Sequence, residues 1–179
     1  MYLSQYFFYI FRTVSRWTLS SIILLSHTYL FAIEHDVFNE LLNKYVSSGK
    51  VNYVGIQSES REVLNSYLGL LSNIKSSEMS SYSKVEQLAL YINAYNAFTI
   101  TAVLDQWPVD SIRDIPNVWK EKKYELAHNH VSLDEIEHKF ARSFGDPRVH
   151  FALNCASVGC PELRSEAYVA LELDNQLED

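Results

Sequence analysis

The sequence predicts an α+β fold: a single mixed domain with a buried central helix and a small sheet, preceded by an N-terminal hydrophobic helix. Three observations predict it. Residues 84–106 are apolar almost all round, the mark of a helix covered on most of its circumference. Short strand-like alternations lie between segments of helical periodicity, so both periods occur within one chain. Residues 1–32 carry Arg12 and Arg16 as their only formal charges, ahead of an apolar run from Trp17 to Ala32.

Taken in order, that first segment reads as a positive region followed by an apolar one, which is the pattern of a secretory signal or an uncleaved signal anchor. It predicts export to the periplasm or cell envelope, with membrane attachment through residues 1–32 as the variant, and a domain over residues 33–179. Residues 35–48 place Val37, Phe38, Leu41, Leu42, Tyr45 and Val46 at helical spacing before Gly49. Residues 51–54 alternate as a short strand, and residues 58–74 read as a second helix with Val63, Leu64, Tyr67, Leu68 and Leu71 inward. A serine-rich connection leads to the central helix, which Trp107-Pro108 stops. Residues 118–131 suggest a hairpin. Ser132-Leu133-Asp134-Glu135 is a capping-box pattern opening a helix to about Phe144. Gly145-Asp146-Pro147 turns the chain into a short buried strand over residues 149–153, and residues 165–179 read as an acidic amphipathic helix with Leu171, Leu173 and Leu177. That helix ends without a stop signal, with Glu178 and Asp179 at the dipole end that disfavours negative charge, which predicts a domain incomplete at its C-terminus.

Composition narrows the function. The chain has 179 residues, 47% hydrophobic and 13% aromatic, enough to build a core. Its formal net charge of −7 repels phosphate backbones, so no nucleic-acid partner is expected. Five glycines form no phosphate-cradling loop, and no cofactor is expected.

Two segments could carry chemistry. Asn93 and Asn96 lie three apart on one face of the most apolar helix; buried amides there either tie the helix to neighbouring backbone or line a ligand cleft. In the second segment, His150-Phe151-Ala152-Leu153-Asn154-Cys155 runs into a loop of small residues ending at Cys160-Pro161. Small neighbours leave Cys155 accessible and backbone amides free beside it, as a nucleophile loop requires. On an extended strand His150 points away from Cys155, about 16 Å along the chain, so His138 is the better base. His150, Cys155 and Cys160 are too widely spaced for a structural zinc site, and no metal is expected.

Asn93-Ala94-Tyr95-Asn96, Leu133-Asp134-Glu135-Ile136-Glu137-His138 and His150-Phe151-Ala152-Leu153-Asn154-Cys155 together resemble the signature blocks of the domain of unknown function 547 family, over about residues 88–168. The family carries no established activity to transfer. The resemblance implies an exported bacterial protein of a kind that continues past the end of this chain. Plant members resemble the Cys155 block without matching Cys160, so the resemblance does not require a Cys155–Cys160 disulfide.

Two functions follow as expectations. One is an exported thiol-dependent hydrolase or transferase with Cys155 as nucleophile, Asn154 or backbone amides as oxyanion donors and His138 as base. The other is a non-catalytic envelope module that binds a small molecule or peptide through Asn93, Asn96 and the His150 loop, with Cys155 and Cys160 structural or disulfide-bonded.

Overall fold

The computed structural model describes residues 33–157 and 159–179; the predicted N-terminal helix lies outside them. The described chain is mixed, with helices predominating and two separate antiparallel hairpins in place of one small sheet.

Helix α1, Asp36–Tyr45, buries Phe38, Leu41, Leu42 and Tyr45. It stops short of the predicted end because Ser48 and Gly49 both adopt positive φ and fold the chain into a two-residue turn. The turn joins β1, Val46–Ser47, to β2, Lys50–Val51, in the register Val46↔Val51. The strand expected over residues 51–54 is therefore displaced. Asn52 accepts a hydrogen bond from the Gly55 amide at 2.9 Å and caps Tyr53–Gly55, which continues through a π-helical segment, Ile56–Ser60, into α2, Arg61–Asn73.

Helix α3, Lys84–Leu104, is the predicted central helix, and every residue from Ile92 to Leu104 is buried. Ser83 and Glu86 form a capping box at its start. Residues from α1, α2 and α3 share one core, with Phe38 stacked on Tyr67 at 4.8 Å and Phe98 on Tyr124 at 4.6 Å between ring centroids. His35 is buried beside this stack, its Nδ1 2.7 Å from the Tyr67 hydroxyl.

The second hairpin pairs β3, Tyr124–Leu126, with β4, Asn129–Val131. Its turn residues, Ala127 and His128, hold positive φ without being glycine. Their amides donate to Leu71 O at 2.9 Å and Ser72 O at 3.0 Å, so the turn satisfies carbonyls that the end of α2 leaves free. Ser132 and Glu135 form the predicted capping box, and Leu133–Glu135 leads through a π-helical segment, Ile136–Phe140, to the 3-10 turn Ala141–Phe144, closed by Gly145 at φ 78°.

Candidate functional site

Between Ala152 and the short helix Leu173–Glu178 lie twenty residues, of which the described ones form no helix or strand. Irregular stretches of that length inside a compact domain are uncommon, and their buried backbone groups need partners from elsewhere. Side-chain amides supply them here. Asn93 Nδ2 donates to Tyr168 O at 2.7 Å, and Asn93 Oδ1 accepts from Tyr168 N at 2.9 Å. One helical turn further on, Asn96 Nδ2 donates to Ala152 O at 3.0 Å while its Oδ1 accepts from Asn154 N at 2.9 Å. Gln176 brackets Ala167 O and Val169 N, each at 2.9 Å, and Asn39 Oδ1 accepts from Ala167 N at 3.0 Å. A carboxamide presents a donor and an acceptor side by side, as an extended backbone does, so each bracket replaces a missing strand neighbour.

Asn93 and Asn96 are 1% and 2% exposed, as buried amides facing partners should be. Both ends of each amide are engaged by main chain, however, so the face expected to line a ligand cleft positions the irregular segment instead.

Cys155 and Cys160 form a disulfide, with Cα atoms 5.9 Å apart. In this oxidised form Cys155 has no thiolate to act as the expected nucleophile, and the pair matches the alternative expectation of disulfide-bonded cysteines. Asn154 closes the same loop a second time: Nδ2 donates to Pro161 O at 2.7 Å and Oδ1 accepts from Ala156 N at 3.0 Å. Its amide is therefore a loop brace and not a free oxyanion donor. His138, the expected base, is half-exposed and has Asp134 as its charged neighbour, Nε2 to Oδ1 3.7 Å; among the described residues no hydrogen bond joins it to the cysteine loop.

The predicted strand over residues 149–153 is instead a single helical turn, Val149–Ala152. Local chemistry explains the change. Pro147 has its φ preset for a first helical turn, and Asp146 accepts from the Arg148 amide at 2.9 Å. The carbonyls of Asp146, Pro147 and Arg148 then accept from the amides of residues 149, 150 and 151. Val149 and Ala152 turn inward, leaving His150 and Phe151 exposed on neighbouring positions, their rings 5.5 Å apart edge to face.

His150 Nδ1 lies 3.0 Å from an Arg142 guanidinium nitrogen, and the same nitrogen donates to Glu137 Oε1 at 2.6 Å. Glu137 in turn lies near Tyr95, whose phenol is pushed up first by burial and then by that carboxylate. The sequence motifs thus converge: Asn96 reaches the Ala152–Asn154 backbone, Tyr95 meets Glu137, and Arg142 joins Glu137 to His150. Tyr95 and Glu137 stand inside the quoted blocks, where their identity was visible and their pairing was not. Arg142 had no signal, because the passage from π to 3-10 geometry breaks the 3.6-residue period by which faces are read.

A cleft of about 290 Å³ opens beside this junction, lined by Arg148, Phe151, Leu163, Arg164, Tyr168 and Leu177 among others. The amphipathic helix expected over residues 165–179 is reduced to the six residues Leu173–Glu178, since Asn93 and Gln176 take main-chain groups of residues 167–169 that a helix would use internally. Leu173 is buried, while Leu171 is 96% exposed. The acids that faced the wrong end of the dipole have arginine partners: Glu178 with Arg148 at 3.0 Å and Asp179 with Arg164 at 3.1 Å.

These features define a class: a small mixed domain whose signature residues fix an irregular, disulfide-closed segment against a central helix. The chain belongs to the family described as "Protein of unknown function, DUF547", whose profile matches residues 79–179 and so takes in all three blocks. No curated protein and no solved structure matches the sequence.

Proposed function

We propose that this chain is a non-catalytic ligand-binding domain of the cell envelope, taking a small molecule or peptide along the face formed by His150, Phe151 and the irregular segment. The observation that carries this reading is the bracing of backbone groups between residues 153 and 169 by five side-chain amides and a disulfide. Holding an irregular segment still removes in advance the ordering cost that binding would otherwise meet. The oxidised Cys155 favours it over a thiol-dependent hydrolase or transferase.

Export to the envelope, by a signal or an anchor within residues 1–32, belongs to the same proposal. Its support is the charge and apolar pattern of that segment, together with a disulfide of the kind that persists in oxidising compartments. No helix among the described residues is long and apolar enough to cross a membrane.

The test is an NMR titration of the ¹⁵N-labelled chain with polar metabolites and blocked peptides, repeated on the Cys155→Ser/Cys160→Ser variant. Saturable shifts confined to residues 150–169 in both proteins are expected. Turnover of any compound by reduced wild type and not by the variant would establish the thiol enzyme in its place.

A further inference from the structure

We infer that His150 is a fixed Nε2–H donor that recognises an amide carbonyl of the ligand, held in that tautomer by Arg142. The inference rests on the binding reading above and names the chemistry of its ligand.

An arginine guanidinium has donors only, so the nitrogen it meets at 3.0 Å must offer a lone pair. Nδ1 of His150 is consequently unprotonated, and the ring hydrogen sits on Nε2. Arg142 is itself held by Glu137 at 2.6 Å, and Glu137 stands on the helical run that the Ser132–Glu135 capping box begins. The imidazole is thus oriented from one side by Arg142 and, through it, Glu137, leaving the Nε2 hydrogen to donate.

The surroundings select the acceptor. Glu137 offsets the charge of Arg142, and the arginines lining the cleft, Arg148 and Arg164, are paired with Asp146, Asp174 and Glu178 and with Glu166 and Asp179, so in a chain of net charge −7 an anionic acceptor gains little here. A neutral carbonyl is accepted without that penalty. Phe151, 67% exposed and edge-on to the His150 ring, offers a flat apolar surface to the acyl or planar part of an amide. It also lines the neighbouring cleft, so a ligand held by its carbonyl at His150 can extend over the phenyl ring into that space. Peptides and N-acetylated sugars both present this carbonyl.

The experiment reads the imidazole nitrogens of the full chain by long-range ¹H–¹⁵N NMR at neutral pH, alone and with three probes: Ac-Ala-Ala-NH2, N-acetylglucosamine and succinate. Without ligand, His150 should show a protonated Nε2 and a bare Nδ1. A protonated Nδ1 would overturn the inference. Either amide probe should shift Nε2 and residues 150–169 saturably, the blocked dipeptide marking a peptide ligand and the sugar a glycan one. Preference for succinate, or shifts over 153–169 that leave Nε2 unmoved, overturns the inference while the binding reading stands. If no probe or other compound perturbs residues 150–169, both fail. Arg142→Met should free the ring to populate both tautomers and weaken amide binding about fivefold, with the fold checked by its amide spectrum. His150→Gln, which keeps an N–H donor, should retain more of the binding than His150→Leu.

Discussion

The helical part of the molecule and the segment from residue 153 to 172 are held by different forces. In the first, α1, α2 and α3 satisfy their own backbones, and stability comes from burying aromatic and aliphatic side chains such as Phe38, Tyr67 and Phe98. In the second, hydrogen bonds from Asn93, Asn96, Asn154 and Gln176 do what a helix or sheet ladder would do, and a disulfide limits what is left. The two regions therefore differ in their sensitivity to substitution. Core packing tolerates changes that preserve volume, whereas an amide bracket tolerates almost none, because its partners are buried main-chain groups with nowhere else to turn.

Deleting a core aromatic tests the first half of that contrast. Phe98→Ala should lower the unfolding free energy by about 3–5 kcal/mol and raise hydrogen exchange throughout the domain. Asn93→Leu keeps the volume and removes the bracket, leaving Tyr168 N and O without partners; a loss of about 2–5 kcal/mol is expected, with exchange rising first at residues 167–169. Uniform exchange in both variants would erase the distinction between the two regions.

Acid should act on the helical half through His35. Burial lowers its pKa from 6.5 to about 4, so the folded state favours the neutral ring, and the unfolded chain binds more protons below pH 6.5. Its contribution is fully present above pH 6.5 and is lost as pH falls towards about 4, with a ceiling of about 3 kcal/mol. Urea denaturation of wild type and His35→Gln at pH 7 and pH 4.5 isolates it. An identical loss in both proteins would assign the acid sensitivity to other groups.

Smaller effects are expected where bracing is redundant. Cys155→Ser/Cys160→Ser opens a short loop whose ends Asn154 still joins, so the loss should stay below about 2 kcal/mol, and Asn154→Ala added to it should cost more than in the wild type. Simple additivity would show that the two braces act separately. Leu171→Ser, at a side chain 96% exposed, should change stability by less than about 0.5 kcal/mol; a larger loss would mean that residues 165–172 pack as the amphipathic pattern suggested.

Much of the fold was legible beforehand because its causes are local. The all-round apolar character of α3, the Ser132 and Glu135 capping box and the hairpin around Ala127-His128 each follow from residues a few positions apart. The candidate site was legible only as a set of residues. Asn93, Asn96, Asn154 and His150 stood out by type, yet their partners lie between two and 75 positions away, and alternation suggested a strand where Asp146 and Pro147 begin a helical turn.

From the sequence follow the central helix, its stop before Pro108, the Ser132 and Glu135 capping box and the burial of two amides, since periodicity and capping depend on neighbours along the chain. Folding decided what those amides hold, that Cys155 meets Cys160, and that Arg142 reaches His150. Each of these is a hydrogen bond or covalent bond between groups brought together by folding, and no local propensity encodes the partner.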